Sequence, residues 1–151
     1  MKRDAESKQH KKWRIVSTII QSCLIVILIA LVGMMMFEIE HLQGTARVIN
    51  YAGLVRGATQ REMKLEVSGR QNDELIQYLD DILSGLKYED GNYDLISLDD
   101  KEYQKKLDEQ IHYWEDLKEE IQKVRDVGYR MTNIVDMNEK YFHLADETVA
   151  A

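Results

Sequence analysis

The chain has 151 residues, no proline, a single cysteine and a formal net charge of −7 at neutral pH. This length holds one modest domain beside a membrane segment and not two domains; the acidic balance speaks against a nucleic-acid partner, and one cysteine excludes an internal disulfide. Without proline, and with a tail rich in Glu, Lys, Leu, Asp and Gln, the composition predicts long helices and an all-α fold.

Residues 1–14 carry Lys2, Arg3, Lys8, Lys11, Lys12 and Arg14 against only Asp4 and Glu6. Such a basic flank resists translocation, which predicts a cytoplasmic amino-terminal tail. Ile15 to Phe37 then runs without a charge, long enough at about 1.5 Å per residue to cross a bilayer core of about 30 Å. An uncleaved transmembrane helix over 15–37 is expected: a cleaved signal has an apolar region of about 7–15 residues closing on a small-x-small site, whereas this run closes Gly33-Met34-Met35-Met36-Phe37. Cys23 lies inside it as a small packing residue. The remainder, 38–151, holds 14 basic residues against 25 acidic ones, and the orientation places it outside the inner (plasma) membrane.

The first extracytoplasmic helix is expected over about 38–68. In heptads, Ile39, Ala46, Gly53, Gln60 and Val67 share one seam position and Leu42, Ile49, Arg56 and Met63 the other. A guanidinium at the seam position Arg56 requires a carboxylate, a carbonyl or a bound anion, because desolvating an unpaired charge costs several kcal/mol. Two readings stand: an anion pocket at Arg56, with Gly53 one turn earlier leaving room for a ligand or a second backbone, or an arginine that pairs with a carboxylate of another helix or snorkels to water.

Asn50, Ala52, Gly53, Arg56, Gln60 and Arg61, with the apolar Ile49, resemble the helix-1 motif of nitrate/nitrite-sensing histidine kinases and of the related type IV pilus methyl-accepting transducer domain. The motif spans about a tenth of the chain and directly follows a membrane helix, the context it needs to carry meaning. The resemblance implies an antiparallel four-helix-bundle sensor domain that dimerises through helix 1. It also implies a small anion, such as nitrate or a carboxylate, held by Arg56 of both subunits with Gly53, Gln60 and Asn50 nearby, and an output domain beyond a second membrane helix. Gly57-Ala58-Thr59 is smaller than the residues usual there in nitrate sensors, which bears on the ligand.

Beyond helix 1, Ser68 to Asp73 supplies turn chemistry, with Asn72 or Asp73 to cap a second helix over about 73–87 on Leu75, Leu79, Ile82 and Leu86. Tyr88 to Asp99 reads as a solvated loop at the membrane-distal tip, with Leu95, Ile96 and Leu98 tucked under the end of the helices. Its carboxylates lack the ordered ligand spacing of a calcium loop. Asp99 or Asp100 caps a third helix over about 99–127, carried by Tyr103, Leu107, Ile111, Trp114, Leu117, Ile121 and Val124. His112 has no second histidine one turn away, so no metal is expected. Gly128 ends that helix, and Thr132 or Asn133 caps a fourth over about 133–151 with Ile134, Met137, Tyr141, Leu144 and Ala145 inward. At about 28 Å against about 45 Å for helix 1, the fourth helix reads as incomplete, as if cut before a second membrane span.

No nucleophile-base arrangement, phosphate loop or Cys/His cluster is legible, so neither catalysis nor a cofactor is expected within the chain. The reading is the ligand-sensing module of a bacterial transmembrane receptor, as in two-component signal transduction. The alternative is a membrane-anchored helical scaffold binding a protein partner.

Overall fold

The computed structural model describes the backbone of residues 2–151 and the side chains from residue 11 onward; of the expected basic flank, the side chains of Lys2, Arg3 and Lys8 lie outside the described residues. The protein is all-helical, with α1 over Lys2–Val67, α2 over Asp73–Tyr88, α3 over Lys101–Val127, a 3-10 turn over Tyr129–Met131 and α4 over Ile134–Ala150. Among the described residues there is no strand. Two compact units divide the chain, Met1–Leu42 and Gln43–Ala151.

The first unit is helix alone. It contains a segment long and apolar enough to cross a membrane, and none of that segment's most apolar window is buried by other parts of the chain. Its large side chains, from Ile15 through Leu24 to Phe37, are exposed, so the apolar surface runs all round the helix.

In the second unit the caps follow local chemistry. Asn72 receives the Leu75 N–H at 3.1 Å on its side-chain oxygen and opens α2, while Asp100 takes the Glu102 and Tyr103 N–H groups at 2.8 and 3.0 Å and opens α3. Each satisfies donors that the first turn leaves unpaired. Gly128, at φ 84°, ends α3, where a side chain would be strained. The start of α4 departs from expectation: Asn133 sits at the cap position without a side-chain cap bond. Its backbone N–H instead donates to the Glu120 carboxylate of α3 at 2.7 Å.

One core joins all four helices. Val48, Ala52 and Val55 of α1, Leu79 and Ile82 of α2, Leu107, Trp114 and Leu117 of α3 and Ile134 and Tyr141 of α4 are all buried. Each fully buried aliphatic side chain contributes about 1.5–3 kcal/mol before entropy is counted. Polar pairs record the helix register. Lys106 meets Glu147 and Gln110 meets Tyr141 between α3 and α4; Asp80 meets Lys118 and Lys87 meets Asp108 between α2 and α3. In both sets residue numbers rise on one helix as they fall on the other.

Two sequence expectations are corrected. The loop after α2, expected at a membrane-distal tip, packs against residues 44–51 of α1 within the second unit. The Arg47 Nη1 donates to the Asp94 carbonyl at 2.9 Å, the Tyr51 and Tyr93 rings lie 5.1 Å apart, and Ile96 fills the space over Gly44. Chain direction explains this, since α2 must run back along α1. Leu95 is buried, as expected, and Gly85 admits the loop, because a Cβ there would stand 2.9 Å from the Asp90 carbonyl oxygen. The second correction concerns α1. Its core-facing residues are Val48, Ala52, Val55, Thr59, Glu62, Met63 and Glu66, so of the expected heptad seam only Met63 is buried. Ile49 remains 51% exposed, on a face that the chain's own helices leave uncovered.

Candidate functional site on helix α1

The sequence-selected residues separate onto three sides of α1. Arg56 and Gln60 turn to α4, where Arg56 Nη1 pairs with the Asp146 carboxylate and its guanidinium lies 5.6 Å from the centre of the Phe142 ring. One turn on, Gln60 Nε2 donates to the Asn138 side-chain oxygen at 3.0 Å, and the Asn138 amide donates back at 3.3 Å. Spacing by four on both helices produces this ladder, because residues one turn apart share a face.

Gly53 borders the other side, toward α2. An open groove of about 610 Å³ runs there between Gly53, Gly57 and Arg61 of α1 and Asn72, Leu75 and Tyr78 of α2. A Cβ on Gly53 or Gly57 would meet nothing within 4 Å, so packing within the chain does not require glycine at either place. Asn50 is exposed. Within the chain, then, Arg56 and Gln60 are brought together, and Gly53 and Asn50 do not join them.

Arg56 is satisfied by a carboxylate of another helix, one of the two readings its seam position allowed. Its side chain is 38% exposed and that of Asp146 57%. At such exposure an ion pair contributes only about 0.2–1 kcal/mol. Phe142 adds a π face to the guanidinium, worth about 0.5–1 kcal/mol near the surface. Sequence reading missed Phe142 and Asp146. Both lie off the apolar stripe of α4, and nothing local fixes which turn of α4 stands opposite Arg56.

A second polar cluster, also missed, closes the end of the unit near the α1–α2 turn. Arg125 of α3 donates from Nε to both Glu66 carboxylate oxygens at 3.1 Å, from Nη2 to the same carboxylate, and from Nη1 to Asp73 at 2.7 Å. These partners raise the affinity of Arg125 for its proton still further, the Glu66 bonds first. Glu62, one turn before Glu66, is fully buried, and neither of its carboxylate oxygens has a hydrogen-bond partner. Nearby on α3, Glu120 accepts from Lys123 at 2.9 Å and from the Asn133 N–H, and these bonds hold its carboxyl below the usual range. Two glutamates on the core face of α1 were a legible anomaly, since charged residues are rarely buried unless paired.

Comparison of the chain with protein-family models, with curated proteins and with solved structures finds no match.

Proposed function

We propose that the chain is the ligand-sensing input module of a bacterial transmembrane receptor, anchored by residues 15–37 with its amino terminus cytoplasmic. In this reading residues 38–151 form an extracytoplasmic antiparallel four-helix bundle. Two copies pack α1 against α1 and bind a small anion, such as nitrate or a carboxylate, at Arg56. The observation that carries the reading is the uncovered face of α1: Ile49 half exposed, open space over Gly53 and Gly57, and Arg56 beside that face held by an exposed ion pair and the Phe142 ring. Small residues let two backbones approach, and a guanidinium fork matches planar oxyanions.

The Asp146 pair supplies a physical switch. Without ligand, Arg56 is bound to α4; with an anion at the seam, Arg56 leaves Asp146 and α4 loses a tether. A ligand shifts helix arrangement only if its affinity differs between the two arrangements, and competition with an internal carboxylate is one source of that difference. Calorimetric titration of the full chain in detergent with a panel of small anions tests this. Arg56→Ala should abolish binding, and Asp146→Asn should tighten it by up to about fivefold, the affinity equivalent of a surface ion pair. If no anion binds, or if Arg56→Ala binds like the parent, Arg56 is structural. The same ion pair would then favour the alternative, a membrane-anchored scaffold that binds a protein partner.

Orientation is tested independently. With six basic residues before Ile15, a cysteine introduced at Ser97 should react with an impermeant reagent in intact cells, and one at Ser7 should not. The reverse labelling would overturn the topology and the receptor reading together.

A further inference from the structure

We propose that Glu62 is a proton-binding switch: the folded protein keeps a proton on this carboxyl, donated in an O–H···O hydrogen bond to Glu66, and the corner where α1, α2 and α3 meet loosens when the proton leaves for solvent. The inference is independent of any anion at Arg56. It rests first on geometry. Glu62 has no exposed surface and Glu66 is 3% exposed, on the same face of α1 one turn apart, and neither Glu62 oxygen has a donor to accept from.

Two ionised carboxylates cannot bond each other, but a carboxylic acid donates to a carboxylate, and Glu66 stands within reach to accept if Glu62 carries the proton. From α3, Arg125 is the only neighbouring cation that acts on Glu62, and its Nε, Nη1 and Nη2 are already committed to Glu66 and Asp73. Glu120, also on α3, is held by Lys123 and the Asn133 N–H. From α2 comes the carboxylate of Asp73, a like charge. At the start of α4, Ile134 is buried in the core and Asp136 is exposed.

Burial, then Glu66 through the hydrogen bond and its charge, push the Glu62 carboxyl up from 4.5 to about 7, against a smaller lowering by Arg125. Loss of the proton places a second negative charge in a buried site whose one guanidinium already bonds Glu66 and Asp73, and desolvated charge without a partner costs several kcal/mol. The sign follows from linkage. The folded group binds its proton more tightly than the unfolded one, so its contribution to stability is complete below the unfolded value of 4.5. That contribution fades as pH rises through the folded value near 7.

The test uses the full chain in detergent micelles. Infrared spectra should show a protonated-carboxyl band at about pH 5.5 that disappears with a midpoint near neutrality and is missing from Glu62→Gln. Thermal midpoints should fall by several degrees between about pH 5.5 and 8.5 in the parent, and the slope should be largely absent in Glu62→Gln, which should be the more stable of the two at the alkaline end. An unchanged slope in Glu62→Gln, or a band of equal strength in it, would overturn the proposal. If Glu62→Gln does not fold, the parent decides alone: no carboxyl band at about pH 5.5, or one that shows no shift on carbon-13 labelling of glutamate, overturns it.

Discussion

Replacing Arg125 with alanine should destabilise the folded unit by about 3–5 kcal/mol, the cost of leaving a buried carboxylate without its partner. Glu66, with a side chain 1% exposed, takes three of the guanidinium's hydrogen bonds, and Asp73 takes another. Removing the cation leaves Glu66 beside Glu62 with nothing positive between them. Arg125→Lys should recover only part of the loss, because an ammonium cannot span one carboxylate with Nε and Nη2 while holding a second through Nη1. Urea denaturation followed by circular dichroism reads the parent and both variants. A loss below about 1 kcal/mol for the alanine variant would mean that water reaches this cluster and that its charges are screened.

Trp114→Ala should cost a similar amount, about 3–5 kcal/mol, for a different reason. The indole is 1% exposed at the centre of the core, its ring 5.8 Å from that of Tyr141. Its removal leaves a cavity that the surrounding core cannot close without moving backbone, because interiors are packed at crystal-like density. It also frees the Asp80 carboxylate, which accepts the Trp114 Nε1–H at 2.7 Å and Lys118 at 2.9 Å. Trp114→Phe separates the two contributions: it fills much of the volume and loses the hydrogen bond, so it should fall between parent and alanine. A phenylalanine variant as unstable as the alanine one would assign the effect to the Asp80 bond and not to volume.

The sequence by itself determined the helical class and the bounds of α2, α3 and α4 to within one or two residues, whereas α1 begins at Lys2, inside the stretch expected as a tail. The informative signals were local: absent proline, apolar residues at helical spacing, Asn72 and Asp100 able to accept first-turn N–H groups, and Gly128 able to take φ 84°. The apolar run of 15–37 was equally legible, since its length and lack of charge require no partner to interpret. Tertiary structure decided what depends on neighbours distant in sequence. Seam positions three and four apart describe more than one stripe on a helix, and only the docking of α2, α3 and α4 selected Val48, Ala52, Val55 and Thr59 as the inward one, leaving Ile49 and Gly53 outside. Chain direction brought the loop around Asp94 against residues 44–51 of α1, where a tip had been expected. The partner of Arg56 was open between an anion and a carboxylate, and it is the register of α4, about ninety residues away, that sets Asp146 beside it. Glu62 carries the same lesson for electrostatics: a glutamate in sequence is an ordinary acid, and it becomes a buried group with a displaced proton affinity only when three helices close around it.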